Sequence, residues 1–507
     1  MEKVGLGTFN WIVLIVYLLA MLGVGIYFTK RSGKDTDAFF TAGGRIPAWA
    51  AGFSIYATTL SAITFMSTPE QAFLTDWSYA AGNLAIFAII PVLIYFYIPF
   101  FRKLNVTTAY EYLEERFGVS MRTVSSLLFI LFHIGRVAIV VYLPTLAITS
   151  VSDIDPVLIA GAVGILCVIY TFLGGMEGVI WSDVIQGILL LGGALLIVVL
   201  GISLIDGGMS TVIDDAISDK KLITADNWKF GTAAAAIPII FIGSIFNNLH
   251  QYTASQDVVQ RYQTTASIKD TNKSLWTNGL LALITIPIFY GMGTVLYSFY
   301  THAEALPSEF NTSAVVPYFI VTSLPAGIAG LLIAAIFAAC QSTISSSLNS
   351  ISACVITDFK QRFFGKDSGK HDVALARWAI IIAGILGVGA ALYLVSTNRA
   401  ETWNLFLDIT GLFGVPIAGI FALGIFTKRA NTPGIWIGLV VAAIVAFFVG
   451  KTDMTPFAIS TVAFFVSFIC GYIGSLFFPN WNDRNNIKGL TIYTRNDTYE
   501  KSASESV

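Results

Sequence analysis

Charge is scarce in this sequence. Lysine, arginine, aspartate and glutamate supply 12% of its 507 residues, about half the share of an ordinary soluble domain, and a soluble globule is excluded. The net charge is only −2, which leaves no electrostatic footprint for a nucleic-acid partner. Cysteine is equally sparse. Its four residues, Cys167, Cys340, Cys354 and Cys470, all fall inside apolar segments, against a disulfide framework or a metal cluster. There is no HExxH motif or other catalytic constellation, so no enzyme is expected. No polar connection is long enough to hold a soluble domain.

What fills the chain is apolar: 55% hydrophobic residues and a mean hydropathy of +0.74. Runs able to cross ~30 Å of hydrocarbon fall near 8–28, 48–67, 78–101, 123–149, 156–175, 179–205, 232–250, 274–300, 327–357, 376–396, 404–426, 433–450 and 455–478. The first resembles a signal peptide, but it is too long, lacks a small-residue cleavage site and ends in a basic stop at Lys30 and Lys34, so it is expected to remain as a spanning helix. Thirteen crossings sort the basic residues. With the N-terminus outside, the inside loops around 30–45, 102–122, 360–377 and 428–429, the loop carrying Arg261, Lys269 and Lys273, and a tail with Arg484 and Lys501 hold most of them. The outside loops keep Lys3, Lys220, Lys221, Lys229, Arg399 and Lys451. That asymmetry sets an N-out, C-in orientation.

The stretch from Gly327 to Thr357 has no charged residue, yet its second half is dense in hydroxyls. On a helix Ala339, Ser342 and Thr343 share a face, and Ser342, Ser345 and Ser346 share the next. Hydroxyl and carbonyl oxygens suit a hard cation; small residues and serines also let membrane helices pack closely. Two runs are poor continuous helices. AWAAGFSIYATTLSAITFMST carries Thr58, Thr59, Ser61 and Thr64 at mid-depth, and IFNNLHQYTASQDVVQRY, five spans later, turns polar before it has crossed. Interrupted helices at matching places in two halves point to a transporter site between inverted repeats, although such breaks also arise as plain kinks.

Two ionisable residues lie deep within the runs, Arg136 and Asp183. Each needs a partner or a watery cavity. They either pair with one another or serve function, the arginine suiting a carboxylate and the aspartate a cation. His133, Gln186 and Gln341 read most simply as satisfied interior hydrogen-bonders.

The strings ATTLSAITFMSTP, FHIGRVAIVVYL, FLGGMEGVIWSDVIQG, TASQDVVQRY and AAIFAACQSTISSSLNSISACV, in this order over roughly residues 8–480, resemble the sodium:solute symporter family, and within it the bacterial sialic acid (N-acetylneuraminate) symporters. The resemblance implies an all-α integral membrane protein of about thirteen transmembrane helices. It has a LeuT-like five-plus-five inverted-repeat fold: an N-terminal helix and loop over 1–47, repeats over 48–205 and 232–426 joined by the loop 206–231, two helices over 427–479, and a tail over 480–507.

It implies a first sodium site at the carbonyls of Ala57 and Leu60 with Ala339, Ser342 and Thr343, and a second at Asp183, Ser342, Ser345 and Ser346. It implies a substrate site at Thr59, Ser61, Thr64 and Arg136, the arginine taking a carboxylate. Asn83 stands where the family pattern leads us to expect glutamine, which shortens a substrate contact. The expected activity is sodium-coupled import of sialic acid by a monomer in the bacterial inner membrane, with two Na+ per substrate and sodium as the only cofactor. A symporter for another carboxylate solute, such as an amino acid or monocarboxylate, fits the same residues. A transmembrane sensor is disfavoured by the short tail.

Overall fold

The computed structural model describes residues 5–33, 35–229, 236–307, 310–367, 369–397, 414–479 and 487–497. Lys3, Lys34, Arg399, Arg484 and Lys501, and residues 404–413 of the eleventh expected span, lie outside the described residues. The architecture is all helical. Among the described residues nine helices are long and apolar enough to cross a membrane, and the helices that fall short of that measure include the two halves of each broken one.

The chain begins with α1 (Thr8–Ser32). One side of it, Ile12, Val16 and Leu19, is half or more exposed, as expected of a surface solvated by lipid instead of water. Next comes a helix in two pieces, α2 (Ala48–Thr59) and α3 (Ala62–Leu74). The break falls at Leu60 and Ser61, both with extended backbone, where threonines and serines offer the backbone competing hydrogen bonds. Then follow α4 (Ala80–Leu104), the short α5 (Tyr110–Phe117), α6 (Val119–Val151) and α7 (Pro156–Ser203).

The last of these runs for 48 residues but is interrupted at Gly175, φ 56° and ψ −161°. That backbone is one that only glycine adopts without strain. Two expected crossings, 156–175 and 179–205, therefore lie on its two sides.

A second broken helix comprises α8 (Ile237–Thr253) and α9 (Gln256–Tyr262). Its interruption at Ala254 and Ser255 is closed by the His250 carbonyl, which accepts from both backbone N–H groups. Both interruptions read from the sequence are present. The bundle is completed by α10 (Ile268–His302), α11 (Ile328–Cys354), α12 (Gly369–Thr397), α13 (Val415–Phe426), α14 (Thr432–Val449) and α15 (Pro456–Leu476), with short helices at Met209–Ser218 and Val315–Ser323 in its connections. The final pair packs through small residues: a Cβ on Gly438 would fall 2.5 Å from the Ser467 carbonyl oxygen and 2.8 Å from Gly471, the close approach typical of membrane helix pairs.

The serine-rich helix is the centre of the bundle. In its most apolar stretch 89% of α11 is buried, against 28% of α1. Its start has no side-chain cap of its own. The orphan N–H groups of Gly327 and Gly330 are instead taken by Asn10 Oδ1 of α1 at 2.6 and 2.9 Å. Further along, Tyr17 donates to Gln341 Oε1 at 2.6 Å, as does Gln186 Nε2 at 3.4 Å, the interhelical bonding expected of both glutamines.

Candidate ion and substrate site

The broken helix α2–α3 and the middle of α11 meet where four oxygens gather. Ser342 Oγ donates to the Ala57 carbonyl at 3.1 Å across the two helices. It also lies 3.1 Å from the Ala339 carbonyl, which Thr343 Oγ1 reaches at 3.2 Å. Ala57 is in the last turn of α2, next to the break, so its carbonyl is not consumed by a continuing helix. These are hard oxygens in a buried place, a donor set that fits a sodium ion carried as cargo. Leu60, the fifth residue expected here, stands at the break itself, and its N–H donates to the Tyr56 carbonyl.

Asp183 lies a few residues into the second part of α7 and is fully buried. Its partner is Arg261 of α9, whose Nη2 donates to Asp183 Oδ2 at 2.8 Å and to Ser346 Oγ at 2.7 Å. Ser54 of α2 donates to the same carboxylate oxygen and receives Arg261 Nε at 2.7 Å. Asp183 Oδ1 has no hydrogen-bond partner among the described residues, an open lone pair beside the cluster. Of the residues expected around Asp183, the structure thus joins Ser346 to it through the guanidinium. Ser345 Oγ turns instead to the Ser342 carbonyl at 3.1 Å.

Arg136 of α6 is buried too, at 6% exposure. The idea that it pairs with Asp183 is corrected here. Arg136 Nη1 meets Asp257 Oδ2 of α9 at 2.9 Å, and its Nη2 donates to the Thr58 carbonyl at 3.1 Å. Asp257 Oδ1 in turn accepts from Ser255 Oγ and from the Val258 N–H. His133 sits between Ser347 Oγ at 3.0 Å and Ser255 Oγ at 3.4 Å, a satisfied interior histidine.

Arg136 therefore reaches the α2–α3 break, where Thr59, Ser61 and Thr64 lie. There Thr59 Oγ1 donates to the Tyr56 carbonyl, and Ser61 Oγ accepts from the Thr64 N–H. Asn83, in the first turn of α4, is partly exposed, and its side chain forms no hydrogen bond to another described residue.

Three residues of this centre were missed in the sequence, Ser54, Asp257 and Arg261, while Thr58 was noted in the polar cluster of the interrupted helix without a role. Arg261, assigned there to an inside loop, has no exposed surface at all. The available signal was that Asp257 and Arg261 are one helical turn apart in a segment where an apolar span loses its polarity pattern.

Two broken helices packed on a polar-lined central helix, with ion pairs at mid-bundle, define a secondary transporter of the LeuT fold. Mhp1, a nucleobase-cation-symport-1 family transporter, shares that fold at a TM-score of 0.55 with 16% identity, over 89% of this chain and 98% of its own. Residues 39–442 match the model of the sodium:solute symporter family, and the chain belongs to that family.

Among relatives, the sodium/sialic acid symporter NanT of Aliivibrio fischeri is 45% identical over 99% of this chain and 100% of its own length. SiaT of Proteus mirabilis, also a sodium/sialic acid symporter, is 49% identical over 86% and 88%. The human sodium-coupled monocarboxylate transporter 1 is 30% identical over 88% and 74%. A solved Na+-coupled sialic acid symporter, in a substrate-bound outward-open state with a novel Na+ site, superposes with a TM-score of 0.89 at 46% identity, covering 93% of this chain and 98% of that one.

Proposed function

We propose that this protein is a sodium-driven symporter that imports a sialic acid across the bacterial cytoplasmic membrane, with the N-terminus outside and the C-terminus inside. The carrying observation is a buried arginine, Arg136, presented at the break of α2–α3 beside a cluster of hard oxygens. That arrangement suits one carboxylate and one sodium held side by side. In this reading the carbonyls of Ala57, Leu60 and Ala339 and the hydroxyls of Ser342 and Thr343 replace the water shell of the first sodium. Asp183, with Ser342, Ser345 and Ser346, takes a second, supported by the open lone pair on Asp183 Oδ1.

Arg136 receives the substrate carboxylate through its two-pronged donor face, while Thr59, Ser61, Thr64 and Asn83 face the rest of the sugar. No bond is made or broken, and the protein acts as a carrier without enzyme activity. Residues 48–205 and 232–426 act as the two repeats, with 1–47, 206–231, 427–479 and 480–507 as flanking helices, loop and tail. Rocking of the repeats about the fixed site alternates access, and a single chain suffices.

The test is uptake of labelled N-acetylneuraminate into proteoliposomes. Accumulation driven by an inward sodium gradient, and lost when potassium replaces sodium, supports the reading. Binding without accumulation refutes it. A second reading, transport of a monocarboxylate, draws on the 30% identity to the human monocarboxylate carrier. Sodium-driven uptake of labelled lactate that excess unlabelled sialic acid does not displace would favour it.

A further inference from the structure

The short helix α9 carries a partner for each of the two charged groups assigned above to the cargo. Asp257 Oδ2 lies 2.9 Å from Arg136, where a substrate carboxylate would sit, and Arg261 Nη2 lies 2.8 Å from Asp183 and 2.7 Å from Ser346 Oγ, where a cation would sit. We propose that Asp257 and Arg261 are built-in surrogates for the substrate carboxylate and the second sodium, and that their shared helix makes loading of the two cargoes cooperative. The inference rests on Arg136 and Asp183 being the cargo-binding groups.

Charge bookkeeping carries the argument. All four side chains are buried, at 6% exposure or less, and a buried charge left without its partner is strongly unfavourable. With no cargo bound, the two pairs are complete. If only the substrate enters, its carboxylate takes Arg136 and Asp257 is stranded. If only the second sodium enters, it takes Asp183 and Arg261 is stranded. When both enter, both surrogates are released together.

Asp257 and Arg261 stand four residues apart on one helix, acid before base, the spacing and order that favour an intrahelical pair. Arg261 Nη1 already donates to the Asp257 backbone carbonyl, so the guanidinium has only a short way to turn. The fully loaded and the empty states are therefore both electrically satisfied, and the half-loaded states are not. That is a coupling free energy between two sites, reciprocal by necessity.

The test compares binding of N-acetylneuraminate by the purified full-length protein at low and saturating sodium in four forms: wild type, Asp257→Asn, Arg261→Gln and the double variant. Asp257→Asn should bind sialate at low sodium at least about fivefold more tightly, Arg261→Gln should reach half-saturation at a similarly lower sodium concentration, and the double variant should lose the share of the sodium dependence of sialate binding that the second site supplies, keeping only the share set by the first sodium. Weaker sialate binding in Asp257→Asn, or unchanged sodium dependence in the double variant, overturns the proposal; Asp257 would then merely position Arg136.

Arg136→Lys serves as the control. If it retains wild-type affinity, the cargo assignment itself fails. If it loses binding while Asp257→Asn also weakens, the assignment stands and the surrogate role falls. Should a variant not fold, hydrogen exchange across residues 254–264 of the wild type decides. A change that requires sodium and sialate together upholds the proposal, and the same change with either alone refutes it.

Discussion

Arg136→Lys tests the carboxylate assignment most directly. In the empty site the guanidinium makes two separate contacts, Asp257 at 2.9 Å through Nη1 and the Thr58 carbonyl at 3.1 Å through Nη2. An ammonium keeps the charge, so Asp257 is not left alone in the interior, but it cannot reproduce a planar fork. Against a substrate carboxylate the same substitution forfeits one of two parallel charge-assisted hydrogen bonds, about 1.5–3 kcal/mol. At about 1.4 kcal/mol per factor of ten, sialate affinity should fall roughly ten- to hundredfold.

Calorimetry on purified protein at saturating sodium measures the loss. Thermal melting shows whether the fold survives, and a midpoint close to wild type is expected because the internal ion pair is preserved. Wild-type sialate affinity in a normally folded lysine variant would refute the reasoning and restrict Arg136 to its bond with Asp257.

Ser342→Ala and Thr343→Ala each remove a hydroxyl from the oxygen cluster around Ala57 and Ala339. Both should raise the sodium concentration for half-maximal uptake, and excess sodium should restore sialate binding by mass action. The second sodium proposed beside Asp183 would make each cycle with a singly charged sialate carry one net positive charge inward, worth about 2.3 kcal/mol per 100 mV. An inside-negative potassium potential should therefore speed uptake, and Ser345→Ala or Ser346→Ala should bring the sodium Hill coefficient towards one; indifference to voltage would end the two-sodium claim. Gly175→Ala places a side chain on a backbone of φ 56° and ψ −161°, at a cost of about 1–3 kcal/mol, and should lower the melting midpoint while leaving sodium affinity unchanged.

Much of this bundle was legible because lipid and protein ask different things of a side chain. The faces turned to lipid must be apolar, so hydropathy located α1, α7, α10 and α12. Hydroxyls clustered in an otherwise apolar helix are conspicuous, so α11 stood out in the sequence as a candidate site, and the structure places it at the buried centre of the bundle. The two interruptions were visible for the same reason, as polar residues where a crossing should have continued.

Hydropathy fails where a helix is surrounded by protein, since a segment that never meets lipid need not be apolar. The helix α9 is such a segment. Every one of its residues from Gln256 to Tyr262 is buried, yet its composition matches a solvated loop, and Arg261 adds conveniently to the basic residues of one side. A charge tally cannot distinguish an arginine that faces the cytoplasm from one whose charge is cancelled inside the bundle, because both leave the alternation intact. The distinction lies in the partners, and those come from helices far away in sequence, Asp183 on α7 and Arg136 on α6. One local trace does survive: an acid and a base one turn apart, with Val258, Val259 and Gln260 between them. On an exposed helix that spacing would be an ordinary surface pair. In the interior it places two opposite charges on one rigid turn, each holding a different helix, Arg136 on α6 and Asp183 on α7.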